Sequence, residues 1–147
     1  MINRVRYLLV LVAICPVVSG CDALEDLFGA DTVTVALVNN SSLGLDVEVE
    51  IYISDQQEIP ELLLTELGTK LEYTVEAGET ATFSRSCDDL QAIIISDADL
   101  QVVGGLGPET SSDVLRDGDD FSCGDTIVFT FDHSLVPIDF DVTVTVE

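Results

Sequence analysis

The stretch LDVEVEIYI at residues 45–53 decides the fold class of this chain. Its apolar residues occupy every second position, and acidic residues or a tyrosine fill the positions between them. Side chains of a β-strand point alternately to the two faces of a sheet, so this strand has one apolar face and one polar face. The pattern predicts a half-buried strand of an antiparallel sheet that packs one face on a core.

Shorter segments on both sides of this strand show the same alternation or a short continuous apolar run. They lie at residues 32–37, 71–75, 80–84, 92–95, 100–103, 127–131 and 138–146. Clusters of turn-forming residues separate them, and no segment has the length and period of a helix that could connect parallel strands. We therefore predict an all-β fold: an antiparallel β-sandwich of about eight strands, Ig-like or jelly-roll-like, over residues 32–147.

Three segments of this domain are expected to lie outside the strands. Pro60 suits the start of a helix and Gly68 suits its end, so we expect a short helix over residues 60–67. Residues 104–125 are expected to be irregular, and loops of this length in a compact domain are usually functional or mobile. Residues 133–137 are expected to turn the chain between the last two strands.

The composition excludes two broad classes of protein. The chain has 147 residues, which is enough for one domain, with 47% hydrophobic residues and a formal net charge of -23. A disordered acidic chain is poor in large aliphatic residues, and this chain is rich in them, so wholesale disorder is excluded. Nucleic-acid binding is excluded because five basic residues against 28 acidic ones cannot neutralise phosphates.

The first twenty residues are typical of an export signal. Arg4 and Arg6 precede an apolar run at residues 7–18, which falls short of the ~20 residues that a transmembrane helix needs. The run ends in the sequence VSGC at residues 18–21. This ending resembles the lipobox of bacterial lipoproteins, at which signal peptidase II cuts the chain.

The resemblance covers residues 1–21 and carries three implications. Residues 1–20 form a signal peptide that is removed, and Cys21 receives a diacylglycerol and often a further acyl chain such as palmitate on its new amino group. Residues 21–31 then form a lipidated tether between the membrane and the sandwich. Asp22 is similar to the inner-membrane retention signal of enterobacterial lipoproteins, which slightly favours that membrane.

The charge of the remaining chain argues that the anchor is covalent. Without residues 1–20, three basic residues stand against all 28 acidic ones, a formal balance of -25. An anionic bilayer surface repels such a chain. Because each buried methylene contributes ~0.8 kcal/mol and stable anchoring takes about two acyl chains, we expect the lipid alone to hold the protein. We place it in the bacterial cell envelope, facing the periplasm or the exterior.

The remaining cysteines predict one disulfide. Cys15 lies in the signal segment and Cys21 is the lipidation site, which leaves Cys87 and Cys123. An even number of cysteines in an oxidising compartment favours a structural disulfide. Cys87 and Cys123 have odd numbers, like the neighbouring strand residues Phe83 and Ile127 that are expected to face the core, so strand parity places the two sulfurs between the sheets. The alternatives are a redox pair or half of a metal site. A redox pair favours closer spacing, and a zinc site needs more Cys or His than this chain holds.

An enzyme is the least favoured class of function. His133 is the only histidine, and it stands between Asp132 and Ser134 in a predicted turn. The members of a catalytic triad meet through the fold and are not sequence neighbours. The sequence contains neither a nucleophile elbow nor a P-loop. We predict no catalytic residue and keep an envelope hydrolase as the last alternative.

Metal binding is the one chemistry that the acidic composition allows. Calcium takes six to eight oxygen ligands, but no segment has the spacing of an EF-hand, and aspartate is also common in turns. We therefore expect no cofactor and keep calcium as a weak candidate. The candidate ligands are Asp88, Asp89, Asp97, Asp99, Asp117, Asp119, Asp120 and Asp125.

The favoured function is a lipid-anchored cell-envelope protein whose β-sandwich is a non-enzymatic binding or structural module. The alternative is a calcium-dependent ligand-binding or adhesion module built on the loops around residues 88–99 and 113–125. The expected partners are the membrane, through the N-terminal lipid, and a protein or glycan that the sequence does not identify.

Overall fold

A computed structural model describes residues 31–41, 44–102, 105, 107–135 and 138–147. The predicted signal peptide, Cys21 and the tether up to residue 30 lie outside these described residues. Within them, no helix has the length and apolar character needed to cross a membrane. The described chain forms nine strands and one short helix, in the order β1 Thr32–Asn39, β2 Val47–Ser54, α1 Glu61–Leu67, β3 Thr69–Val75, β4 Thr80–Ser86, β5 Ala92–Leu100, β6 Glu109–Thr110, β7 Leu115–Arg116, β8 Thr126–Leu135 and β9 Ile138–Val146.

The strands form two sheets that pack face to face. The four-stranded sheet has the order β4-β1-β8-β9, and the five-stranded sheet has the order β3-β2-β5-β6 with β7 also paired to β5. Val33, Val35 and Leu37 of β1 pack with Phe129 of β8 and Ile51 of β2 in the core between the sheets. The predicted all-β sandwich is confirmed, with nine strands instead of about eight.

One strand pair differs from the expected antiparallel pairing. The strands β1 and β8 run parallel, with Val35 opposite Ile127 and Leu37 opposite Phe129. Alternating apolar residues give the same two-faced strand in either direction, so the pattern predicts the buried face but not the direction of the neighbour. All other strand pairs of the described chain are antiparallel.

The two strands predicted at residues 92–95 and 100–103 are a single strand, β5. Across the pair with β2, Ile51 lies opposite Ile95 while Glu50 lies opposite Asp97, so Ser96 is an extra residue in a β-bulge. The bulge shifts the core-facing positions from odd to even residue numbers. The apolar residues of β5 therefore do not alternate regularly in the sequence, and residues 96–99 resemble a turn. The predicted separate strand at residues 100–103 is therefore wrong.

The short helix α1 confirms the helix predicted between Pro60 and Gly68. Pro60 precedes the helix in an extended conformation, and the backbone N–H of Gly68 donates to the carbonyl oxygen of Leu64 at 2.9 Å. A Cβ atom at residue 68 would lie 2.4 Å from that oxygen and 2.9 Å from the carbonyl oxygen of Ile53. Glycine is therefore required here by the close approach of two backbone segments.

The stretch at residues 104–125, expected to be irregular, is partly ordered by β5. Its described residues contribute the two short strands β6 and β7, which both pair with β5. The guanidinium of Arg116 donates to the carbonyl oxygen atoms of Gln57 and Ile59, at 2.9 Å for the second. One of the few basic residues of the chain thus fastens this stretch to the loop that leads into α1.

The predicted disulfide between Cys87 and Cys123 is present, with the two Cα atoms 5.5 Å apart. Cys87 packs against the core between the sheets, as strand parity suggested, whereas Cys123 is exposed. Cys87 follows β4 and Cys123 precedes β8, and both strands flank β1 in the four-stranded sheet. The bridge therefore closes one end of a single sheet, beside Asp31, whose carbonyl oxygen accepts the N–H of Cys87 at 3.0 Å.

Candidate functional site

The outer face of the five-stranded sheet divides into a covered half and an open half. Over the covered half, Ile59 and Leu64 pack on Ala92 and Ile94 of β5. The open half carries carboxylates, and we call it the acidic face. It consists of Glu48, Glu50, Glu72, Asp97, Asp99 and Glu109.

Strand alternation and the β5 bulge together place these carboxylates on one side. In β2, Glu48 and Glu50 alternate with buried valines and therefore point outward. In β5, the extra residue Ser96 reverses the phase, so that Asp97 and Asp99 also point outward. The register then sets Glu50 opposite Asp97 and Glu48 opposite Asp99. Without the bulge, the two aspartates would face the apolar core.

A groove of about 340 Å³ lies on the acidic face across β3, β2 and β5. A second groove of about 240 Å³ shares Glu48 and Asp99 with the first and extends to Gly107 and Glu109. Carboxylates concentrated along a concave surface raise the local concentration of cations and cationic groups. The first groove is lined by Glu48, Val49, Glu50, Glu72, Tyr73, Thr74, Asp97 and Asp99.

Lys70 offsets one of the two carboxylate charges on the β3 side of the acidic face. Its Nζ atom forms ion pairs with Glu50 and, at 2.8 Å, with Glu72. The hydrogen bond from Lys70 lowers the pKa of Glu50, and the same two carboxylates raise the pKa of Lys70 above its ordinary value. These side chains are solvent-exposed, so the pairs contribute little to the stability of the fold. The carboxylates of Asp97 and Asp99 form no ion pair among the described residues, so the β5 side is the more negative edge of the groove.

Three carboxylates meet on that β5 side. Asp97, Asp99 and Glu109 each offer an oxygen within 4.8 Å of the others. Burial raises the pKa of Asp97, and the neighbouring charges of Asp99 and Glu109 raise it further. The three oxygens are fewer than the six to eight that calcium takes, so water or further groups would have to complete its shell. The sequence did not indicate Glu109, because only the β5–β6 pairing brings it to the two aspartates.

The other predicted calcium ligands do not join this group. The carboxylate of Asp120 accepts the backbone N–H of Arg116 at 2.9 Å, and that of Asp125 accepts the backbone N–H of Ser122 at 2.7 Å. Asp89 accepts a hydrogen bond from a serine hydroxyl at 2.6 Å. These aspartates stabilise their own turns. The remaining candidate aspartates lie in or beside the same turns, and none belongs to a cluster of potential metal ligands among the described residues. They are Asp88, Asp117 and Asp119.

His133 lies in a strand and not in the predicted turn. It belongs to β8 and pairs with Phe140 of β9. Successive strand residues point to opposite faces, so Asp132 and His133 diverge, and Asp132 instead accepts a hydrogen bond from Asn40 at 2.6 Å. The Nδ1 atom of His133 is buried without a hydrogen-bond partner among the described residues. Asp132 and His133 therefore do not converge on one reacting atom.

Comparison with known proteins assigns no family to the chain. No protein-family model matches it, and no curated protein matches it. Among solved structures, an NMR structure of a protein from Eubacterium rectale is 12% identical, with a TM-score of 0.49, over 80% of this chain and 91% of that chain. The T6SS lipoprotein TssJ1 from Pseudomonas aeruginosa is 11% identical, with a TM-score of 0.43, over 80% of this chain and 97% of that chain.

Proposed function

We propose that this protein is a lipid-anchored component of a bacterial cell envelope whose β-sandwich is a non-enzymatic binding module. The anchor is supported by the sequence VSGC at residues 18–21, which follows a basic start and an apolar run. The binding role rests on one observation, the groove that crosses the open acidic face of the five-stranded sheet. Rigid strands hold the lining side chains, so a partner meets a surface that is already formed.

The chemistry of the groove favours a partner with cationic groups. One edge carries Lys70 between Glu50 and Glu72, and the other edge carries the carboxylates of Asp97 and Asp99. A basic segment of an envelope protein, or an amino-substituted glycan, can place its positive charge at the second edge. Such contacts steer association and depend on ionic strength.

The anchor is tested by expressing the full chain in a bacterial host and separating membranes from soluble fractions. We expect the unsubstituted chain in the membrane fraction, where it incorporates labelled fatty acid, and we expect Cys21→Ser to remove the label and release the protein. Cys15→Ser is the matched control, because it changes the apolar run but not residue 21. Equal labelling of Cys21→Ser and the unsubstituted chain would contradict the anchor.

The binding face is tested by comparing partners captured from native envelope by two variants. Asp97→Asn with Asp99→Asn removes two charges from the groove, and Glu61→Gln with Glu66→Gln removes two charges from α1. We expect the first variant to lose partners that the second variant retains. Identical partner sets for both variants would remove the acidic face from the proposal.

A calcium-dependent module is the second candidate, and one observation favours it. Asp97, Asp99 and Glu109, from two strands, bring carboxylate oxygens within 4.8 Å of one another. Thermal unfolding in millimolar calcium and then in chelator separates the candidates, because an ion that binds only the folded chain raises the melting temperature by an amount that grows with the ion's concentration relative to its dissociation constant. A calcium-induced rise that Asp97→Asn abolishes would support this candidate, and an unchanged melting temperature would end it.

A further inference from the structure

Strand β9 forms an open edge of the four-stranded sheet. It pairs with β8 on one side, and no described residue pairs with its other side. The backbones of Thr126 and Glu147 exchange two hydrogen bonds, at 2.9 Å and 3.0 Å. Opposed residues of an antiparallel pair alternate between a hydrogen-bonded and a non-hydrogen-bonded type. The even-numbered residues of β9, from Phe140 to Val146, therefore direct their N–H and C=O groups away from β8 and toward the open edge.

The inner side chains along this edge are incompletely covered. Phe140 is buried, but Val142 and Val144 are half-buried and Val146 is exposed. The β8 residues opposite these three valines are fully buried, and they are Phe131, Phe129 and Ile127. The core thus thins from β8 to β9, and an added strand beside β9 would cover the valines.

The other sheet edges of the described chain carry features that oppose an added strand. Very short strands, lysines and inward-pointing charges protect exposed edges. The strands β6 and β7 have two residues each, and Lys70 stands on β3. Arg85 of β4 lies opposite the buried Val33, so its charge is on the inner side of the sheet. In contrast, β9 has nine residues without lysine or proline, and its register against β8 is continuous.

The outer side of this edge has carboxylates at one end and hydroxyl groups at the other. Asp139 and Asp141 are followed by Thr143 and Thr145, and Asp132 of β8 lies opposite Asp141. Repulsion by Asp139 raises the pKa of Asp141. These aspartates form no ion pair among the described residues. Opposite charges on neighbouring strands attract and like charges repel, so a strand beside β9 is favoured if it is basic at this end.

Charge also decides between a basic partner and a second copy of this chain. Pairing of two β9 strands would bring Asp139, Asp141 and Glu147 of both copies to one seam. Each chain beyond residue 20 also has three basic residues against 28 acidic ones, a formal balance of -25. Such copies repel each other, whereas a basic segment is attracted.

We propose that β9 binds an extended segment of another protein, which adds to the four-stranded sheet as a fifth strand antiparallel to β9. Apolar residues of the segment cover the half-buried valines, and lysine or arginine residues between them lie beside Asp139 and Asp141. Backbone hydrogen bonds to the even-numbered residues of β9 supply affinity, and the alternating side chains supply specificity. The edge belongs to the other sheet from the acidic face, and the proposal depends neither on that face nor on acylation.

The test uses the peptide TVTVKVK and the full chain purified in detergent, which keeps the protein in solution with or without lipid at residue 21. When the peptide pairs antiparallel with β9, its lysines lie beside Asp141 and Asp139, and its valines lie beside Phe140, Val142 and Val144. We expect millimolar peptide to slow hydrogen exchange at the open-edge amides of Val142 and Val144. The dependence of this protection on peptide concentration gives the dissociation constant.

Methylated peptides test whether backbone hydrogen bonds hold the segment. In the antiparallel arrangement the N–H groups of the peptide valines face β9, and those of the residues between them face away. N-methylation of the three valines is therefore expected to abolish protection, whereas N-methylation of the lysines and the second threonine is expected to preserve it. Equal effects of the two methylation patterns, the reverse order, or no protection by the unmodified peptide would overturn the proposal.

Charge variants test the basic end of the segment. Asp139→Asn with Asp141→Asn is expected to weaken binding by about 2- to 30-fold, because two cross-strand pairs of opposite charges are lost. Glu61→Gln with Glu66→Gln is the matched control and is expected to keep the affinity. Unchanged affinity in the first variant would overturn the proposal. Affinity that depends on Asp97 and Asp99 instead would assign the peptide to the acidic face, and a stable dimer without peptide would assign the edge to a second copy. Both results would also overturn it.

Discussion

The side-chain amide of Asn39 donates a hydrogen bond to the carbonyl oxygen of Val75 at 2.9 Å. Asn39 ends β1 in the four-stranded sheet, and Val75 ends β3 in the five-stranded sheet, so this bond joins the two layers. The same amide donates to Leu45 at 2.9 Å, and its oxygen accepts the N–H of Ser41 at 2.9 Å. Asn39 is 1% exposed, so water cannot replace these partners.

Replacing Asn39 therefore tests how the two sheets are held together. Asn39→Ala leaves buried carbonyl groups without their donor, and we expect the free energy of unfolding to fall by about 1–3 kcal/mol. Asn40→Ala is the control: its side chain is exposed and loses only a solvent-exposed hydrogen bond to Asp132, so we expect a smaller loss, of about 0.5 kcal/mol. Denaturant unfolding measures both variants, and equal stabilities would contradict the account.

The disulfide is expected to stabilise the sandwich through the unfolded chain. Cys87 and Cys123 are separated by 36 positions, and closing a loop of this size restricts the unfolded ensemble. We expect the double variant Cys87→Ser with Cys123→Ser to lose about 3–4 kcal/mol of unfolding free energy. Because both cysteines lie at turns, the variant should keep its β-sheet circular dichroism spectrum below the transition. An unchanged denaturation midpoint would show that the bridge adds nothing.

Gly68 is expected to tolerate no side chain. A Cβ atom there would meet two backbone carbonyl oxygen atoms, those of Leu64 and Ile53, which cannot move aside as a flexible side chain can. We expect Gly68→Ala to lower the unfolding free energy by about 2–3 kcal/mol. Gly78→Ala gives the contrast, because residue 78 has open space and a φ of 76°, and backbone strain there costs roughly 1 kcal/mol. A smaller loss at residue 68 than at residue 78 would contradict this interpretation.

The raised pKa of Asp97 predicts a pH-dependent gain in stability on substitution. A carboxyl group whose pKa is higher in the folded chain than its ordinary 3.8 destabilises the fold once the pH exceeds both pKa values. Asp97→Asn is therefore expected to raise the melting temperature at pH 7 and to lose this advantage as the pH falls below about 4.

A charge-matched control separates the local effect from net charge. Asp119→Asn removes the same charge from a turn outside the acidic face, so it is expected to raise the melting temperature less at pH 7. Added salt should reduce the advantage of Asp97→Asn, because part of it comes from repulsion by Asp99 and Glu109. A melting temperature that does not respond to Asp97→Asn at pH 7 would contradict the electrostatic description of the groove.

Local patterns predicted the elements of the fold better than their pairing. Signals within a few residues predicted the alternation in β2 and the helix between Pro60 and Gly68. The even number of cysteines outside the signal and lipidation sites predicted the disulfide. The parallel pairing of β1 with β8 depends on chain path, which strand alternation does not encode. The role of Asn39 between the sheets becomes visible only when Val75 lies beside it.

The candidate site was predictable only in part. Asp97 and Asp99 were candidate ligands from composition, but the bulge at Ser96 decides that they point to the acidic face instead of the core. Glu109 joins them through pairing between β5 and β6, a contact without any sequence signal. The aspartates near residue 120 were candidates on equal grounds, and they bind backbone N–H groups of their own turns instead. Tertiary contacts set the direction of each aspartate side chain. That direction decides whether an aspartate joins the acidic face or binds its own turn.

The intact mass of the protein purified from bacterial membranes tests the lipid anchor at Cys21. We expect a chain that begins at Cys21, with a diacylglyceryl group on its sulfur, either an acyl chain or a free amine at its N-terminus, and the Cys87–Cys123 disulfide closed. A chain that retains residues 1–20, or that begins elsewhere with residue 21 unmodified, would contradict the lipid anchor.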